Sequence, residues 1–176
     1  MEKELLRRRT DEVTAVIEDF NLRQVDLYER EAPKEEVLQL VIFRLNREWY
    51  GVEMVKVKEV VKVGRITYLP SCPEHIAGIV NLRGYILSVT DLKPLLGLTH
   101  EESTERTRII AIESGIFETG FLVDEVVESI EVPLRKIEPV LLILPAERAK
   151  YLEGQCKVNE KLIAIVNVEK VLEKRV

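Results

Sequence analysis

The stretch Gly78-Ile79-Val80-Asn81-Leu82-Arg83-Gly84-Tyr85-Ile86-Leu87-Ser88-Val89-Thr90-Asp91-Leu92 holds two short apolar runs, Ile79 to Leu82 and Tyr85 to Val89, around a polar break. Runs of this length, rich in β-branched residues and bounded by turn formers, are strands joined by a tight connection. Asn at the first and Gly at the fourth place of Asn81-Leu82-Arg83-Gly84 favour a type I turn, which puts Arg83 at an exposed tip with a planar fork of donors. After Val89 the period shifts away from two, so a helical turn is expected over Asp91 to Leu96.

The same texture extends in both directions. Further strands are expected at Leu38 to Leu45, Tyr50 to Glu53, Val57 to Val63, Arg108 to Ile112, Gly120 to Val123, Val126 to Val132 and Leu162 to Val166, with a second helical turn at Val168 to Glu173. Leu162-Ile163-Ala164-Ile165-Val166 is apolar at both parities and should be covered on both faces. Two blocks repeat. Gly51 to Val61 aligns without gaps on Gly120 to Ile130, and Gly78 to Leu96 aligns on Gly154 to Leu172, with Asn159 at the place of Arg83. The repeat implies two similar β lobes, each ordered hairpin, crossover, hairpin, helical turn.

Strand parity singles out two carboxylates. If Val57 to Val63 is extended, Val57, Glu59, Val61 and Val63 share one face and Glu59 interrupts an apolar stripe; Glu128 does the same among Val126, Ile130 and Val132. An unpaired buried carboxylate costs several kcal/mol, so either a cation reaches it or that face lines a groove open to solvent or a partner. A bulge after Met54 would instead shift the parity and leave both glutamates on the surface. Arg83 either pairs with Glu59, contacts a partner, or is a solvated turn cation.

Catalytic patterns are missing. His75 and His100 are isolated, and neither HExxH, GxSxG nor a glycine-rich phosphate loop occurs. Cys72 and Cys156 lie far apart and outside any CxxC pair, so both are expected to be free structural thiols; no metal or other cofactor is expected. Trp49 and Tyr50 beside Gly51 read as hairpin core aromatics, or as an interface anchor if the position is at an edge.

The net charge of −5 argues against nucleic acid, whose binding draws on Lys and Arg excess; the local Arg7-Arg8-Arg9 triplet is followed at once by Asp11 and Glu12. No apolar run approaches the roughly 18 residues of a membrane-spanning helix, and the charged opening residues do not lead into a signal-like block, so a cytoplasmic protein without direct membrane insertion is expected. At the N-terminus Leu6, Val13, Val16, Ile17 and Phe20 recur at helical spacing, the stripe becomes irregular beyond Phe20 where the helix breaks or changes its buried face, and Pro33 ends the segment, which predicts a helical extension over residues 1–34 ahead of the β region, 35–176.

Val55 to Val60, Gly78 to Leu92 and Gly120 to Glu128, in that order, resemble the CheW family of chemotaxis coupling proteins, from about Val37 to Lys174. The resemblance implies a mostly β fold of two SH3-like five-stranded barrels with a hydrophobic groove where they meet. It implies no enzymatic activity. Its implied partners are the cytoplasmic tips of chemoreceptors and the regulatory domain of a CheA-type histidine kinase, with recruitment to membrane receptor arrays. Glu59 matches the glutamate of the family's V-x-E-V/I motif and Arg83 the arginine of NLRG, both tied to coupling; Ser88 and Thr90 depart from the pattern. The expected groove is bordered by Val57, Val60, Leu82 and Val126, with Glu59, Arg83 and Gly84 at its edge. The N-terminal extension leaves open an adaptor of another receptor-kinase system, serving pili, gliding or biofilm. A β-barrel that binds a small ligand is a further alternative.

Overall fold

The computed structural model describes residues 35–140 and 145–174, so the expected N-terminal helix lies outside the described residues. Among the described residues ten strands form two five-stranded sheets. The first has the order β8 (Glu125–Pro133), β1 (Val37–Leu45), β2 (Glu48–Glu53), β10 (Lys161–Val166), β9 (Leu152–Val158). The second has the order β3 (Val57–Lys62), β6 (Arg108–Ser114), β7 (Phe117–Val123), β5 (Tyr85–Asp91), β4 (Ile76–Leu82). Short helices α1 (Leu92–Leu96) and α3 (Val168–Glu173) follow β5 and β10, and α2 (Ala146–Ala149) precedes β9. The expected strands and both helical turns form. β9 and α2 were not foreseen: Leu152-Glu153-Gly154-Gln155-Cys156-Lys157-Val158 mixes polar residues and a glycine into a strand buried at only some positions.

The repeat is real, but its units are not the sheets. β1 corresponds to β6, β2 to β7, β3 to β8, β4 to β9 and β5 to β10, and the correspondence carries one sheet order onto the other. Yet β3 pairs with β6 and β8 with β1, so each repeat's third strand is built into the sheet begun by the other repeat. In the same way β10 lies parallel to β2, and β5 parallel to β7. The expectation of one lobe per repeat is thereby corrected. A third strand closes its own repeat's sheet only if the chain turns straight back. Here the 3₁₀ turn Met54–Lys56 stands between β2 and β3 and redirects the chain, and in the second repeat Asp124, between β7 and β8, turns it onto β1 with its amide donating to the Arg44 carbonyl at 3.0 Å.

Three cores follow from strand alternation. Leu40 and Ile42 of β1, with Ile163 and Ile165 of β10, fill the inside of the first barrel. Ile109 and Ala111 of β6, with Leu87 and Val89 of β5, fill the second. The opposite faces of the same strands, including Phe43, Tyr50, Ile110, Ile112, Phe121 and Val166, meet in a shared core with Leu92, Leu95, Val168 and Val171 of α1 and α3. Sheets covered on both faces read as apolar at both parities, which is what β10 shows. The helices are capped alike: Asp91 accepts from the Lys93 amide at 2.9 Å and Asn167 from the Lys170 amide at 3.0 Å.

Each sheet curls until its ends nearly meet, but a two-way backbone bridge takes the place of a continuous ladder. Thr67 and Ile79 exchange hydrogen bonds of 2.8 and 2.9 Å, and Glu138 and Gln155 two of 2.8 Å. Gly78 sits at the first closure with φ 142°, and a Cβ there would overlap the Thr67 carbonyl oxygen. Its counterpart Gly154 has more room, with Ile137 Cγ2 at 3.0 Å and Glu138 O at 3.2 Å from the same hypothetical atom. Gly78→Ala should therefore lower the unfolding free energy by roughly 1–3 kcal/mol and Gly154→Ala by clearly less, measured by urea denaturation. Equal effects would contradict this description of the closures.

Candidate functional site

Parity in β3 is broken by one extra residue. Glu59 stands opposite Ala111 and Val61 opposite Ile109, whereas Val57 stands opposite Ile112, with a register shift that leaves Lys58 unopposed. Directly opposed side chains share a face, so Val57 turns into the shared core while Glu59 and Val61 point to the inside of the second barrel. The counterpart is in β8: Glu128 stands opposite Ile42, Val126 opposite Phe43, and Val127 is the extra residue. The expectation that Val57, Glu59, Val61 and Val63 share one face is thus corrected at Val57. A bulge is present, but it lies past Met54 and within the strand.

Glu59 sits at the mouth of the second barrel, its side chain 22% exposed, and its Oε2 accepts from Arg83 Nη2 at 3.0 Å. Tyr85 Oη lies 3.5 Å from Glu59 Oε1. Lys58 Nζ donates to Glu118 at 2.7 Å and lies 5.3 Å from the Tyr85 ring centroid. Opposite charges therefore alternate across strands β3, β5 and β7 around one aromatic ring. In the first barrel Glu128 makes no ion pair with any described residue, because Asn159 replaces the arginine.

The turn that presents Arg83 differs from the one expected. Leu82 and Tyr85 are paired, leaving the two-residue loop Arg83-Gly84 with φ 49° and 95°. Two left-handed residues make a type I′ turn, whose twist matches the strands it joins, while a type I turn would splay them. The Gly84 amide donates to Asn81 Oδ1 at 2.8 Å. Arg83 is an unfavourable residue for this backbone; Asn159 (φ 47°) at the corresponding position is a favourable one. The guanidinium is 81% exposed, so its pair with Glu59 contributes at most about 1 kcal/mol.

Of the residues expected to border a groove, Glu59, Leu82, Arg83 and Gly84 come together at this mouth. Leu82 packs on the second barrel's core, and Val57 and Val126 pack on the shared core. Val60 is 42% exposed at the sheet edge, opposite Ile110. The four apolar residues thus do not share one face, because the bulges turn Val57 and Val126 onto the shared core while Leu82 packs on the core of the second barrel.

A second charged cluster joins the repeats. Lys56 Nζ pairs with Glu53 at 2.8 Å and Glu169 at 3.0 Å, and Ser114 Oγ donates to Glu169 at 3.1 Å. Sequence reading missed it, since its members lie on four separate elements. Burial, and then the Glu53 carboxylate, push the Glu153 carboxyl up to about 7. Among the described residues no group of three His, Cys, Asp or Glu side chains could hold a metal ion.

A CheW-like domain model matches residues 39–176. The chain belongs to the CheW-like family. The chemotaxis protein CheW of Helicobacter pylori is 30% identical over 158 residues, covering 85% of this chain and 95% of the relative. Protein FrzA of Myxococcus xanthus is 32% identical over 133 residues, covering 74% and 82%. The crystal structure of the scaffolding protein TtCheW from Thermoanaerobacter tengcongensis superposes with a TM-score of 0.70 at 35% identity, covering 78% of this chain and 89% of that one. The strand-exchanged pair of SH3-like sheets described above is therefore the CheW-like fold.

The raised Glu153 group fixes a pH dependence. Its folded-state value lies above the ordinary 4.5, so the stability it confers is complete in acid and is lost as pH rises towards 7. Because Glu153 is exposed at its edge, water screens the effect to about 1 kcal/mol or less. Unfolding free energy should decline between pH 5 and 7 and level off above, and Glu153→Gln should flatten that decline in urea titrations at several pH values.

Proposed function

We propose that this chain is a non-enzymatic scaffold that couples the cytoplasmic tips of chemoreceptors to the regulatory domain of a CheA-type histidine kinase, in the cytoplasm beside membrane receptor arrays. The carrying observation is Arg83: an arginine 81% exposed, on a left-handed turn position that disfavours it, over a glutamate 3.0 Å away. The hairpin itself does not need that choice, since the other lobe closes its own with asparagine. A partner protein does, because a guanidinium fork presents several donors in a fixed plane.

In this reading Glu59, Leu82, Arg83 and Gly84 form a contact point at which Glu59 holds the guanidinium ready. A receptor helix lays its apolar face beside it, and the kinase domain meets the outer barrel surface. Signal passes as a shift in which arrangement of partners is populated. Val57 and Val126 act indirectly, by fixing the two bulged strands. The start of the family match at residue 39 supports a boundary between residues 1–34 and the β region that follows. The match to FrzA supports a second reading, an adaptor of the same build in a receptor-kinase system outside chemotaxis.

Arg83→Glu should leave circular dichroism unchanged and weaken capture of the kinase regulatory domain or a receptor-tip fragment by about tenfold or more, because it puts two carboxylates together where the partner expects a cation. Capture at the level of the unmodified protein would defeat the proposal.

A further inference from the structure

On the first sheet, away from Glu59 and Arg83, the chain encloses a pocket of about 580 Å³. Its wall is apolar: Trp49 and Tyr50 from β2, Leu96 and Leu98 from the end of α1, Leu152 from β9 and Ala164 from β10. That volume and lining are typical of sites for small organic molecules. The shared core ends at this wall, so Tyr50, Leu96 and Leu152 belong to both.

Two observations indicate what the pocket holds. Gln155 stands opposite Ala164 in the ladder, lines the pocket, is 6% exposed, and its side-chain amide has no hydrogen-bond partner among the described residues. Its amide atoms are open to solvent in the pocket, where a ligand oxygen can accept from the side-chain NH2 group. The corresponding position in the other repeat is Ile79, which needs no partner. The second observation is charge. Arg47, Arg148 and Lys161 stand at the rim, and none pairs with a carboxylate among the described residues. Lys161 Nζ lies 4.0 Å from the Trp49 ring centroid, over its face. The two rim carboxylates are already engaged, Glu48 with Tyr50 Oη at 2.6 Å and Glu160 with Lys157 at 3.0 Å.

We propose that this pocket binds a small organic acid, its apolar body against Trp49, Leu96, Leu98 and Leu152 and its carboxylate between Gln155 and the rim cations. An uncharged ligand would leave three cations unused, and a cationic one would be repelled. The site is independent of the coupling surface, so either can fail alone.

Trp49 is the chain's single tryptophan and lines the pocket, so its emission reports occupancy. The full chain is titrated with sodium octanoate, with 1-octanol and octylammonium as neutral and cationic counterparts. A saturable change with a dissociation constant on the order of 0.1–1 mM is expected for octanoate, with octanol about tenfold weaker. Arg148→Gln and Gln155→Leu should each weaken octanoate about fivefold or more while leaving the melting temperature and kinase-domain capture unchanged. A linear response without saturation, equal binding of octanol, or unaltered affinity in both variants overturns the proposal. So does a Leu- and Glu-rich peptide that occupies the pocket and is not displaced by octanoate, since the surface would then be a protein-docking groove.

Discussion

Two extra residues, Lys58 in β3 and Val127 in β8, decide which side chains the two sheets share. Each inserts into a ladder and reverses the facing of what precedes it, so that Val57 and Val126 enter the common core while Glu59 and Glu128 turn to the barrel mouths. Without the bulges, one side of each strand would carry both the valine and the glutamate. Either the shared core would hold a carboxylate, at a cost of several kcal/mol, or it would lose its valine. The make-up of the shared core and the placing of an acid at each mouth both require this one-residue offset.

Much of the fold was legible because it is local. Apolar runs bounded by turn formers marked nine of the ten strands, and a shared offset between two blocks marked the duplication. The resemblance to CheW-like proteins supplied the pairing into five-stranded sheets. Strand exchange was not legible. A repeat fixes which elements are alike, whereas the partner of β3 depends on where the 3₁₀ turn at Met54–Lys56 sends the chain. Val57 to Val63 reads as an unbroken alternation, and the insertion at Lys58 shows only in the register against β6. The Arg83-Gly84 turn has a similar cause: composition alone favoured one turn type, and the twist of the paired strands selected its mirror image.

At the candidate site, parity located Glu59 as a carboxylate among apolar neighbours and the turn located Arg83 at a tip, and the two meet at 3.0 Å. Tyr85 and the Lys58–Glu118 pair were missed, because each is unremarkable until β3 curls across to β5. Duplication has left the two mouths unequal. One carries an acid, a base and an aromatic ring; the other carries Glu128 and has Asn159 at the place of the arginine, and its sheet opens instead into the pocket around Trp49. An adaptor that must hold dissimilar partners at once gains from two lobes of one fold with different surfaces, since the shared core keeps their spacing fixed.

The claim on which the account turns is that Arg83 serves recognition at some expense to the fold. Replacing it by the residue the other repeat uses, Arg83→Asn, separates the two roles in one protein. Urea unfolding and the affinity for the kinase regulatory domain should be measured on the same preparation. Relief of the left-handed strain offsets the loss of an exposed ion pair, so stability should stay within about 1 kcal/mol of the parent while affinity falls about tenfold or more. Stability lower by several kcal/mol with affinity unchanged would show that the arginine is there to hold the barrel shut, and the account would be wrong.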